Sequence, residues 1–304
     1  MIFEEAKEEI EEEETKANPD GFFADTNSAT ACSVRVALRV RPLIGREVYE
    51  SPNICISCDM SNNQLTIGKD RNFIYDKVYD IGTKQNAVFE GCVKNLVLGC
   101  FHGYNATVLA YGQTGSGKTH TMGSGYTIGL KEEDLGIIPR VIKLIFEEVD
   151  KRKHKAEFLI KCTFLEIYNE EFHDLLDSTG TVNASQQANV IDRFMQKKEI
   201  TIREEKNGNI SVYGLREEKV NCYEELAACL DRGSNFRSTA STMMNNCSSR
   251  SHALFTITIE QHIIEDLYKA NDGAQQPAPQ EGAASEEFMV AKFHFVDLAG
   301  SERI

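Results

Sequence analysis

The first regular pattern along the chain lies at residues 34–40, where VRVALRV alternates apolar and polar positions and predicts a strand. Arg41-Pro42 ends it, because proline has no N–H to give to a ladder. Residues 64–68 and 72–76 read as a small hairpin. A helix follows, with an apolar stripe of Val88, Phe89, Cys92, Val93, Leu96, Val97 and Cys100. The short run ATVLAY at 106–111 has the pattern of a strand buried on both faces, and a glycine-rich turn comes directly after it. Residues 138–149 predict a helix with Pro139 near its first turn, where a missing N–H costs nothing. Residues 158–168 predict a long buried strand. Asn207-Gly208, between segments 201–202 and 210–213, marks a hairpin turn. A helix at 223–230 precedes two strands, 252–264 and 289–298, separated by a Gln-, Ala-, Pro-, Gly- and Glu-rich insertion at about 266–287. Strands and helices alternate without an internal repeat, so the expected fold is α/β: a central, mostly parallel sheet flanked by helices.

Composition changes this picture at the N-terminus. Half of the net charge of −14 sits in the first fourteen residues, which hold eight Glu and one Lys. Residues 1–31 show no sustained periodicity and read as an acidic, disordered arm, with the folded domain spanning 32–304. An acidic balance argues against a surface built for nucleic acid or anionic membrane. No apolar run approaches the roughly 18 residues of a membrane-spanning helix, and the Glu-rich start lacks the cationic and apolar regions of a signal peptide. The nine cysteines have no framework spacing and read as reduced cytosolic thiols. Cys55 and Cys58 form a C-x-x-C with no second pair, so two small side chains in a β segment is the plainer account.

The chemistry concentrates at 112–119. Gly112-Gln113-Thr114-Gly115-Ser116-Gly117-Lys118-Thr119 fits G-x-x-x-x-G-K-[ST], between a predicted strand and a predicted helix. The glycines let successive N–H groups and a helix N-terminus surround a β-phosphate. Lys118 would reach the β- and γ-phosphates, and Thr119 offers a hydroxyl to Mg²⁺, a hard cation that prefers oxygen ligands.

A phosphate loop alone leaves kinase, transporter, GTPase and motor open, so elements that sense the γ-phosphate must decide. Val296-Asp297-Leu298-Ala299-Gly300 ends the last strand with an Asp suited to hold Mg²⁺ through water and a Gly whose N–H can approach the γ-phosphate. Residues 245–252, NNCSSRSH, gather hydroxyls and one guanidinium directly before a strand. Taken alone, a serine-rich loop would be the plainer reading.

Together, GQTGSGKTHTM at 112–122, N-x-x-SSRSH at 245–252 and DLAGSE at 297–302 resemble the kinesin motor domain in order and spacing. The likeness extends from Cys32 to Ile304 and includes RVRP at 39–42, FHGYNATV at 101–108, FLEIYNEEFHDLLD at 164–177 and STAST at 238–242. AKFHFVDLAGSER and DLGIIPR at 134–140 look most like the kinesin-4 group.

The resemblance implies a P-loop fold of kinesin type and ATP-dependent movement on microtubules, with ATP and Mg²⁺ as cofactors, tubulin as partner and the cytoplasmic cytoskeleton as location. It implies that Arg39, Arg41 and Pro42 border the adenine, that His120 packs on it, and that residues 112–119 hold the phosphates. Asn245, Ser248, Ser249 and Arg250 would form switch I, with Ser249, Thr119 and Asp297 around the metal. Asp297, Gly300 and Glu302 would form switch II, and an Arg250–Glu302 ion pair would form when both loops close on ATP. A complete kinesin motor continues past the position of Ile304 with further helices, most of the microtubule-binding surface and a dimerising coiled coil. The expectation is therefore a motor domain incomplete at its C-terminus. Residues 178–196 and 270–285 depart from the family pattern. A non-motile kinesin-like regulator that binds nucleotide and microtubules, and an inactive truncated fragment, are the alternatives left open.

Overall fold

The computed structural model describes residues 34–45, 47–50, 53–125, 129–177, 200–205, 208, 210–243, 250–263 and 287–302. The acidic arm, the segment 178–196, most of the 266–287 insertion and Asn245, Ser248 and Ser249 of the predicted switch I lie outside them. The chain divides into two units, Met1–Ile81 and Gly82–Ile304.

In the first unit, β1 (Ala37–Arg39) and a single helical turn, α1 (Glu47–Glu50), precede four short strands. These are β2 (Ile56–Asp59), β3 (Gln64–Ile67), β4 (Arg71–Ile74) and β5 (Lys77–Tyr79). β2, β3 and β4 form an antiparallel three-stranded sheet that contains the expected hairpin. β1 pairs in parallel with β5, which the pattern did not reveal. Cys55 is exposed and Cys58 half-buried on β2, and among the described residues no three His, Cys, Asp or Glu cluster as a metal site.

The second unit opens with α2 (Gln85–Cys92) and α3 (Lys94–Cys100), where the stripe predicted one helix. Val93 breaks it at φ −119°, ψ −36°, well away from helical values. Then come β6 (Ala106–Ala110), α4 (Lys118–Met122), α5 (Ile137–Arg152), β7 (Ala156–Tyr168), β8 (Glu171–Asp174), β9 (Thr201–Glu204), β10 (Ile210–Tyr213) and β11 (Glu218–Val220). α6 (Tyr223–Met243), β12 (His252–Ile263) and β13 (Glu287–Asp297) complete the order. β9 and β10 form the predicted hairpin, with Thr201 opposite Tyr213.

The main sheet runs β11-β7-β12-β13-β6, with β8 also on β7. It is mixed rather than mostly parallel, because only β13 and β6 pair in parallel. Part of the difference comes from β12 and β13, consecutive strands that pair antiparallel, and part from β11, a three-residue strand that the pattern did not show. α6 does cross over between two strands of like direction, but these are β11 and β12, and β7 lies between them running the other way. β6 also differs from expectation. Among the described residues its one neighbour is β13, and Leu109 is 60% exposed, so the strand is buried on one face.

The core gathers Phe164, Phe255, Phe293 and Phe295 on the sheet. Phe164 meets Phe255 edge-on at 5.2 Å between centroids, and Phe293 stacks on Phe295. α3 and α4 pack on β6 and β13, while α6 packs on β7. α5 presents the buried stripe Ile138, Val141, Ile142 and Ile145. α6 runs thirteen residues beyond the expected 223–230. Its second half, GSNFRSTASTM, is poor in helix formers and is held by packing: Gly233 lies against the Phe164 ring, and Ser234 Oγ donates to the carbonyls of Leu230 and Ser124. Among the described residues no helix is long and apolar enough to cross a membrane.

Candidate nucleotide site

β6 and β13 lie side by side and deliver two loops to one edge of the sheet. The loop after β6 runs through residues 111–117 into α4. Gly117, at the N-cap of α4, has φ 96°, and Gly112 has φ 149° with a would-be Cβ 2.7 Å from Ser116 Oγ. Side chains are strained in the first conformation and sterically blocked at the second. Lys118 Nζ folds back to donate to the carbonyls of Gly112 at 2.8 Å and Gln113 at 3.1 Å. The Gln113 carbonyl also accepts from Ser116 N, so the loop is closed on itself with its ammonium held at its mouth.

Asp297, the last residue of β13, is 2% exposed and is the hub of the site. Its Oδ2 accepts from Thr119 Oγ1 at 2.8 Å, Ser124 Oγ at 2.8 Å and Arg237 Nη1 at 3.0 Å. Oδ1 is buried without a partner. Arg237, on α6, also lies 3.6 Å from Glu166 of β7 and donates to the backbone and hydroxyl of Ser251. A buried guanidinium between two buried carboxylates is tolerable only because each charge has partners. Thr119 and Asp297 supply adjoining hydroxyl and carboxylate oxygens, one of them unbonded, and this donor set fits a hard divalent cation.

Beyond Asp297 the chain stays on the phosphate loop. Leu298 N donates to Ala110 O, and Ser301 N donates to Gly112 O at 3.1 Å. Ala299 N bonds His252 Nδ1, tying the same loop to the start of β12. Glu302 accepts from Thr114 N at 2.9 Å and from Thr114 Oγ1. These two donors hold the Glu302 carboxyl below the usual carboxylate range. Gly300 sits directly against this contact, where any Cβ would collide with the Glu302 carboxylate and Thr114 Oγ1.

The Arg250–Glu302 ion pair, which the resemblance implies only for loops closed on ATP, is not made in this arrangement. Arg250 is exposed, and Glu302 is engaged by Thr114 instead. The reason is local, since two donors of the phosphate loop lie within reach of the carboxylate. Asn245, Ser248 and Ser249 fall outside the described residues.

At the other end of α4, His120 is exposed, and buried Gln85 of α2 reaches it twice. Gln85 Nε2 donates to His120 O at 2.7 Å and lies 3.3 Å from His120 Nδ1. In the first unit, Arg41 forms a bidentate pair with Glu47 and also donates to Pro42 O. Arg39 is half-buried, which lowers its pKa, and Pro42 is exposed.

Sequence reasoning missed Gln85, Ser124, Glu166, Arg237 and Ser251. The one available signal was a charged residue set in a stretch otherwise too apolar or too small for it, as with Glu166 in TFLEIY and Arg237 in GSNFRSTA.

A family model described as the kinesin motor domain matches residues 39–304. The chain is 43% identical over 282 residues to the kinesin-like protein KIF21A of Homo sapiens, covering 90% of this chain and 16% of that protein. It is 45% identical over 278 residues to the kinesin-like protein KIN-4A of Arabidopsis thaliana, covering 90% and 26%. To the chromosome-associated kinesin KIF4 of Mus musculus it is 44% identical over 271 residues, covering 89% and 19%. The chain thus spans about a sixth to a quarter of the length of these curated relatives. The solved structure of a fast kinesin, described for its ATPase mechanism and interactions with microtubules, superimposes with a TM-score of 0.74. The identity is 31%, over 91% of this chain and 68% of that one.

Proposed function

The chain belongs to the kinesin motor-domain family, with kinesin-4 proteins among its relatives, and from that premise we propose that it hydrolyses Mg·ATP to drive movement on microtubules. The observation that carries this reading is the direct bonding of the phosphate loop to the loop after β13, through Thr119–Asp297, Gly112–Ser301 and Thr114–Glu302. A γ-phosphate arriving at Lys118 would meet both loops at once.

In this reading residues 112–119 bind the phosphates, and Arg39, Arg41, Pro42 and His120 bind the base. Lys118 exchanges its two carbonyl partners for phosphate oxygens. Mg²⁺, held by Thr119, Ser249 and Asp297, would supply positive charge opposite the β- and γ-phosphate oxygens. Gly300 offers its N–H to the γ-phosphate, and Asn245, Ser248 and Ser249 are the switch I residues that the family pattern assigns to it. Closure brings Arg250 to Glu302, excludes bulk water and leaves one water in line for attack, so that catalysis is positioning and electrostatic stabilisation. Release of phosphate frees both loops, and that motion is what the microtubule senses. The protein acts in the cytoplasm on the microtubule cytoskeleton.

The test is to separate binding from turnover in the full-length protein. Arg250→Ala and Glu302→Ala are expected to reduce microtubule-stimulated phosphate release by at least about tenfold while Mg·ADP affinity changes little. Wild-type turnover in both variants would refute the closure mechanism.

A further inference from the structure

We propose that Thr114 is a positioning residue for Glu302: it holds the carboxylate on the phosphate loop in the open site and must release it before Arg250 can take it. This rests on the closure mechanism proposed above and adds a step to it. The motor's two loops then close by exchanging one partner for another, rather than by pairing two free charges.

The geometry around Glu302 supports the exchange. Glu302 is bonded by both the backbone N–H and the hydroxyl of Thr114, residues 188 apart in sequence. Ser301 N donates to Gly112 O, so the backbone is also bonded one residue from Glu302 and two residues from Thr114, which keeps the carboxylate beside its two donors in the open site. Gly300 leaves the space that the contact occupies, since a Cβ there would meet both the Glu302 carboxylate and Thr114 Oγ1. Arg250, exposed in the same structure, makes no ion pair with Glu302. The carboxyl is held below its usual range first by the Thr114 hydroxyl and second by the Thr114 N–H, so both donors act on the ionised form.

The energetic consequence has a definite sign. The Thr114 contact stabilises the open arrangement and is absent from the closed one, so it opposes any ligand that requires closure. A nucleotide with a γ-phosphate is such a ligand, and ADP is not. Removing the hydroxyl should therefore favour the triphosphate relative to the diphosphate. Because the pair is exposed and screened, the gain should be roughly two- to fivefold.

The experiment titrates the protein with a non-hydrolysable ATP analogue and with ADP, both with Mg²⁺, and takes the ratio of affinities. Thr114→Val keeps the shape and the backbone N–H while removing the hydroxyl, and the ratio should rise about threefold in favour of the analogue. Thr114→Ser restores the hydroxyl and should return the ratio to wild type. Should the valine variant fold poorly, as judged by thermal melting, Thr114→Ala carries the same expectation. Arg250→Ala in the same titration checks the underlying mechanism, because losing the closed-state partner should lower the ratio. If Arg250→Ala lowers the ratio but the Thr114→Val ratio equals wild type, the parking role is wrong and the closure mechanism survives. If Thr114→Val raises the ratio and Arg250→Ala leaves it unchanged, Glu302 is parked as proposed but its closed-state partner is another group. A ratio unmoved by either change overturns both.

Discussion

Glu47 shows how one carboxylate fixes a side chain assigned to the base. Both of its oxygens bond Arg41, and one also accepts from Ile44 N, so its pKa falls to about 2. A depressed carboxylate stabilises the arrangement above its ordinary pKa, and that contribution is lost as pH falls through the folded value. Carbon-detected NMR titration should accordingly find Glu47 ionised at pH 4 and protonating near pH 2. A midpoint near 4.5 would mean that the Arg41 pair does not persist in solution. Cys100 gives a second check at this scale. It is fully buried and pushed up to about 12 by desolvation, whereas Cys55 is exposed. Native alkylation at pH 8 should label Cys55 and spare Cys100, and rapid labelling of Cys100 would contradict its burial at the end of α3. The phosphate loop was legible because its eight residues act together and sit together in sequence. Arg237 and Asp297 were not linked in advance, because they lie 60 residues apart and meet only once α6 folds across β7. The Thr114–Glu302 contact spans 188 residues and had no signal in the sequence.

Among the elements, α6 departs most from its sequence pattern and depends on its neighbours for its second half. Its polar second half has little intrinsic helicity, so its stability comes from contact with β7 and from Arg237. Gly233 has no room for a Cβ against the Phe164 ring, and Gly233→Ala should destabilise the fold by about 1–3 kcal/mol through overpacking despite alanine's better helix propensity. Arg237→Ala leaves Glu166 and Asp297 buried without their shared cation, and should cost about 3–5 kcal/mol. Denaturant unfolding measures both, and an increase in stability for either variant would contradict the packing described. The long strands and α5 could be read from periodicity because each buries one apolar face over many residues. The three-residue strands β5 and β11 could not, since so short a segment has no period, and missing β11 hid the antiparallel relation of β7 to β12.

At the scale of the second unit, the phosphate loop and the loop after β13 meet where two neighbouring parallel strands, β6 and β13, end together, with α3 and α4 packed on both strands. Family membership accounts for the motifs, and the buried Glu166–Arg237–Asp297 cluster ties α6, β7 and β13 together beside them. The central claim is that occupancy of this site by Mg·ATP is coupled to a microtubule. Phosphate release by the full-length protein, measured with Mg·ATP while polymerised tubulin is titrated in, tests it directly. Turnover should rise saturably with tubulin and fall to background in Lys118→Ala, which lacks the ammonium proposed to reach the phosphates. A protein that binds Mg·ATP but whose turnover stays flat across the titration would contradict the account.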